Sequence, residues 1–200
     1  MLDSSTAAVM GYIEIYDVTE ERETLESKCN AIHYENFSVA MAESIANQGR
    51  GSIYEMVFGN GGTSVDPTGI ITYLTPNTSG VNSTLYSETY SKVVDAGSNN
   101  NTDPTRNYMQ IRHVTGTNYT DVVVTCLLDY GEPKDQYAFD NTTDMHSPYV
   151  FDEIGLRAYD PNGTGKLLTH VIFHPVQKAL NRRIEIVYTV RIQSLTGNIG

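Results

Sequence analysis

The chain has no tryptophan, only two cysteines in 200 residues, and a small share of charge, 18% against the usual quarter. Lys and Arg number 13 against 24 Asp and Glu, for a formal net charge of -11, so the attraction that drives non-specific phosphate binding has the wrong sign. Nucleic acid and anionic membrane are therefore not expected as partners. No apolar run approaches the length of a membrane-spanning helix. The opening MLDSSTAAVMGYIEIYDVTE has neither a basic start nor an apolar stretch of the signal-peptide kind, so neither a span nor secretion is expected. Cys29 and Cys126 lie 97 positions apart without metal-ligand spacing, and are expected to be free thiols, buried or half-buried, in a reducing compartment.

Thr, Asn, Ser, Gly and 14 Tyr take the place of the missing charge. Only one segment has helical periodicity: from about 34 to 47, Phe37, Met41 and Ile45 recur every four residues, with Ala40 beside them and Gly49 as the stop. Elsewhere the apolar period is two. It is clearest where Ile184, Ile186, Tyr188, Val190 and Ile192 alternate with Glu185, Val187, Thr189 and Arg191. Shorter runs of the same kind cover 12–18, 53–58, 70–74, 84–94, 108–114, 122–128, 149–158 and 167–174, each bounded by turn-forming residues. The expected fold is mainly β: an antiparallel β-sandwich or barrel-like domain with one amphipathic helix and long polar loops at 59–69, 76–83, 95–107 and 131–148. Residues 1–10 have no period and are expected to form a flexible arm, with 11–200 as a single β-rich domain.

Motifs that would carry chemistry are incomplete. Gly59-Asn60-Gly61-Gly62-Thr63 follows a strand, where a phosphate-cradling turn would lie, but Ser64, Pro67 and Gly69 forbid the helix that a dinucleotide fingerprint opens. It is expected to be a tight turn using glycine for positive φ. Gly163-Thr164-Gly165-Lys166 lacks the first P-loop glycine and has Leu167 in place of the metal-binding hydroxyl, so it is read as a hairpin turn. His170 and His174 have zinc-like spacing, but on a strand they stand about 13 Å apart, and are expected to be half-exposed. Asp152 and Glu153, as neighbours on a strand, are expected to point to opposite faces and not to work together. The Asp/Asn loops at 95–103 and 140–144 do not fit a calcium-loop pattern. No catalytic residue, metal or cofactor is expected.

What remains suits a protein that touches other proteins. Tyrosine buries a large amphipathic area at little torsional loss, and Tyr12, Tyr16, Tyr54, Tyr73, Tyr86, Tyr90 and Tyr108 fall on strands or at their edges as candidate subunit contacts. The order of segments carries a resemblance. The helix NFSVAMAESIAN is followed by IYEMVFGNGGT, then LYSETYSK, then FDEIGL, then LLTHVIFHPVQK and the closing IEIVYTVRI. This order resembles the N-terminal, particle-attached region of bacteriophage tail and collar fibre proteins, over about residues 30 to 193. The resemblance implies a non-enzymatic virion component, made in the host cytoplasm, that assembles as a homo-oligomer with other virion structural proteins at a tail, neck or fibre-attachment site. In that family pattern Gly59, Gly61, Gly62, Glu153, Ile154 and Gly155 are fold-defining, Ile154 as a buried residue and Gly155 as a point of bulge or close backbone approach. The chain ends at Gly200 without a shaft or receptor-binding tip, which favours a small adaptor, a collar component or a capsid decoration or cement protein. A host-glycan-binding module is the alternative of another class, though the aromatic platform usual at sugar sites would have to do without tryptophan.

Overall fold

The computed structural model describes residues 5–133 and 149–196. In chain order the elements are β1 (Ser5–Asp17), β2 (Glu23–Cys29), β3 (Ala31–Ile32), α1 (Tyr34–Ile45), β4 (Ile53–Gly59), β5 (Thr63–Val65), β6 (Ile71–Tyr73), β7 (Glu88–Val93), β8 (Tyr108–His113), β9 (Tyr119–Leu128), β10 (Tyr149–Ala158), β11 (Leu167–Lys178) and β12 (Ile184–Thr196). They form two five-stranded antiparallel sheets. The first runs β2-β1-β12-β9-β8, the second β3-β11-β10-β4-β7, and β5-β6 makes a separate two-stranded ribbon. The sheets stay open, so the fold is a sandwich and not a barrel. Its core is built by the alternation visible in β12: Ile184, Ile186, Tyr188 and Val190 meet Met56, Phe58, Ile154, Leu156 and Phe173 from the other sheet.

Residues 5–10 are not a free arm. They continue β1 and pair with 191–196 in unbroken register, because β12 is long enough to offer them a ladder. The lack of apolar period there reflects a strand end with little core to face. Helix α1 is capped by the His33 imidazole, which accepts the Asn36 N–H (3.2 Å), and it ends at Ile45, short of the expected stop. Asn47, at φ 51, terminates it before Gly49 is reached. Phe37 and Ala40 are buried, whereas Ile45 is 82% exposed. Strand β2, with the sequence ETLESKC, was hidden by its polarity: it is an edge strand with no buried residue. Cys29 at its end is exposed and Cys126 is buried, both free; burial pushes the Cys126 thiol up to about 12.

Strand β10 and residues 167–173 of β11 are buried on both faces. The excursion from 60 to 87, which includes β5 and β6, leaves the second sheet at Gly59 and returns at Glu88, directly across the ladder. It folds over the outer face of that sheet as a third layer. Among the described residues the apolar cluster beneath it is small: Val57, Leu85 and Leu167.

Candidate functional site

The polar residues that hold this third layer are the most concentrated set of buried ionisable groups among the described residues. Phe151 and Ile154, three positions apart, both lie in the core, so strict alternation is broken between them. The register of β10 against β11 shifts at the same point, from Phe151 opposite Val176 to Glu153 opposite Ile172. The irregularity turns Asp152 and Glu153 toward the same loop, contrary to the expectation that neighbours on a strand diverge.

Glu153 is fully buried. Its Oε1 accepts the N–H groups of Gly61 (3.0 Å) and Ser87 (2.8 Å); its Oε2 accepts the N–H of Tyr86 (2.9 Å) and lies 2.9 Å from His170 Nε2. The Asn77 N–H donates to His170 Nδ1 (2.8 Å), which fixes the tautomer: Nε2 carries the proton and donates it to Glu153. Asp152 accepts the N–H groups of Gly62 (2.9 Å) and Thr63 (2.8 Å) and the Thr63 hydroxyl. Burial pushes the Glu153 carboxyl up, but the bonds from His170 and from the Ser87, Tyr86 and Gly61 amides outweigh it and hold the group below the usual glutamate range. At Asp152 the balance is reversed. Burial dominates over the Thr63 and Gly62 bonds, the nearby charge of Glu153 adds to it, and the carboxyl lies above the usual aspartate range.

Of the expected fold-defining residues, Gly59, Gly61, Gly62 and Glu153 converge on one constellation, while Ile154 faces the core. Their glycines work by close approach: none of Gly59, Gly61 and Gly62 has positive φ. A Cβ on Gly59 would come within 2.5 Å of Glu153 Oε1, one on Gly61 within 2.8 Å of Tyr86 Cβ, and one on Gly62 within 2.9 Å of Ile172 Cγ2. Gly155 is a close approach of the expected kind, since a Cβ there would come within 2.5 Å of the Thr169 carbonyl oxygen, and Ile154 is buried. His170 is fully buried in the constellation, whereas His174 is exposed, its Nδ1 3.2 Å from the Tyr73 hydroxyl. The two histidines thus differ from the half-exposed pair expected of them, because only the first lies under the third layer. Residues 159–166 join β10 to β11 as the expected hairpin connection.

The candidate contact tyrosines divide. Tyr12, Tyr73 and Tyr86 are exposed, while Tyr16, Tyr54, Tyr90 and Tyr108 are half-buried. Several are committed within the chain: Tyr86 donates to the Thr75 carbonyl (2.6 Å), Asn100 Nδ2 donates to Tyr54, and the Tyr90 ring packs 5.9 Å from Phe58. Sequence reasoning missed Tyr34, Ile45 and Ile111, the most exposed large apolar side chains. Ile45 flanks an open apolar groove of about 320 Å³ between α1 and the first sheet, lined also by Phe37, Met41, Val122 and Ile192.

A second buried polar set bridges the two sheets. Lys92 donates to the Leu127 carbonyl (2.7 Å) and pairs with Glu132, and Lys178 donates to the carbonyls of Glu132 (2.8 Å) and Ala179 (2.9 Å). Burial pushes Lys178 down to about 8, against the pull of Glu132 and Asp129. The 95–107 loop is closed by its own side chains, with Asn101 Nδ2 donating to the carbonyls of Asp95 and Asn107. Among the described residues no group of three His, Cys, Asp or Glu side chains is arranged to hold a metal; the 140–144 loop lies outside them. Comparison of the chain with family models, with curated proteins and with solved structures found no match.

Proposed function

We propose that this chain is a non-enzymatic structural subunit of a bacteriophage virion, assembling as an oligomer at a tail, neck or fibre-attachment site. The observation that carries the reading is the engagement of Asp152, Glu153 and His170. Converging carboxylates and an imidazole would be the raw material of a catalytic site if they opened onto a cleft. Here each faces backbone N–H groups of the chain itself, and Glu153 and His170 are fully buried. The segments behind the fibre-protein resemblance are also those this constellation ties together. The glycine turn meets FDEIGL through Asp152 and Glu153, and LYSE meets it through the Tyr86 and Ser87 amides, with Glu88 paired to Arg157 just beyond it. A set of motifs whose mutual purpose is to hold layers together supports a scaffold role.

Mass spectrometry of purified particles, followed by localisation of the chain by electron microscopy, tests the reading. The expected result is the chain in the particle, at a copy number set by the rotational symmetry of the tail or neck. Equality with the shell subunit would instead favour a capsid decoration protein. Absence from the particle, or turnover of a host polysaccharide lost on changing Asp152 or Glu153, would overturn the proposal.

A further inference from the structure

The two five-stranded sheets have four edges, and three are guarded. Strand β3 is two residues long. Strand β7 has a register shift and turns the charged Lys92 inward. Strand β2 has a register shift against β1, contains Glu23 and Glu26, and is preceded by Glu20 and Glu21. These are the usual devices against edge-to-edge pairing. Strand β8 has none. It pairs with β9 in continuous register over six residues, contains no proline, lysine or acid, and nothing pairs with its outer side among the described residues. Ile111 lies on the core-facing side, since it stands opposite Val122, one pleat from Met109 opposite the buried Val124, and yet it is 78% exposed.

We propose that β8 is the interface through which two copies of this chain pair edge to edge, antiparallel about a two-fold axis, joining their first sheets into one of ten strands. Charge selects this edge. In a chain of net charge -11, no Asp or Glu occurs from 104 to 120, whereas Arg106, Arg112 and His113 do. Two copies can meet here without opposing acids, which the glutamates around β2 would not permit. Register follows from parity. Core faces match only when paired residue numbers sum to an even value, and an axis at Ile111 sets it against its symmetry mate, with Gln110 opposite Arg112 and Met109 opposite His113. That pairing covers the exposed isoleucine and extends the apolar row through Val122 into the second copy. Isologous two-fold contacts are the commonest way for a chain to self-associate.

The inference rests on the assembly reading above and names its contact. Sedimentation of the full chain at concentrations on the order of 100 μM should give a mass near twice 22.2 kDa. Ile111→Lys, at a site solvent-exposed in the single chain, should weaken association at least about tenfold, with the thermal midpoint unchanged at concentrations low enough for both proteins to be single chains. In a Cys29→Ser background, Ile111→Cys should give a disulfide-linked dimer on mild oxidation, because opposed antiparallel residues bring Cα atoms to about 4.5–5.5 Å. A single-chain mass at that concentration, or a dimer indifferent to both changes at 111, would overturn the pairing. If the chain is nevertheless found in particles, the assembly reading stands and only this edge is wrong.

Discussion

The two faces of the β10–β11 hairpin are held by different physics. The inner face presents Phe151, Ile154, Leu156, Val171 and Phe173, all at most 1% exposed, and Phe151 meets Phe58 and Phe173 edge-on at 5.5 and 5.8 Å. Burial of apolar area fastens it, without directional demands. The outer face presents Glu153, Gly155 and His170, with Asp152 turned the same way by the broken alternation, and the layer above contributes mainly backbone amides, joined by the Thr63 hydroxyl. Strength there depends on geometry: removal of one acceptor leaves several buried donors without partners. The sandwich and its outer layer should therefore be separable in stability although they share two strands.

The largest effect should come from the inner face. Phe151→Ala should cost about 3–5 kcal/mol, read as a fall in the denaturation midpoint that all probes report together. Glu153→Gln keeps size but replaces an oxygen acceptor by a donor facing N–H groups, and should cost about 2–4 kcal/mol. Its mark should be local, with amide exchange accelerated across 60–87 and little changed in β9 and β12. An equal loss of protection in both sheets would erase the distinction drawn between the two faces. Gly155→Ala, whose Cβ would press on the Thr169 carbonyl oxygen at 2.5 Å and on Leu167 Cδ1 at 2.6 Å, should cost about 1–3 kcal/mol by overpacking.

Acid sharpens the comparison. The folded Glu153 value lies below the unfolded one of about 4.3, so its contribution is fully present above that pH and is lost as pH falls through the folded value. Asp152 has the opposite sign. Its folded value is raised, and the fold gains as pH falls from there toward the unfolded value. Protection of 60–87, corrected for intrinsic exchange, should therefore hold from neutral pH to about 5 and fall below about 4, and Glu153→Gln should lack that fall. The smallest effect is expected at Ile45→Ser on the exposed end of α1, within about 0.5 kcal/mol by chemical denaturation.

Legibility in the sequence follows the same division. Apolar alternation located β4, β10, β11 and β12 because an inward side chain announces its own destination. The helix was visible for the same reason, though its last turn was overextended: Ile45 repeats the period without finding a core. Strand β2 escaped because an edge needs no apolar residue, and residues 5–10 escaped because their partner, β12, lies almost two hundred positions away. The clamp was legible only in its parts. Glycine, acid and histidine were each visible, but their meeting depends on a register shift at 151–153 that composition does not encode. Once neighbours on a strand are taken to diverge, Asp152 and Glu153 cannot be read as one device.

The most direct test is native-state hydrogen exchange on the unmodified chain at neutral pH, with increasing denaturant. If the outer layer is fastened by the buried carboxylates and the sandwich by its apolar core, amides of 60–87 should open together at a free energy clearly below that of β9 and β12. A single common opening free energy for all of these segments would contradict the account.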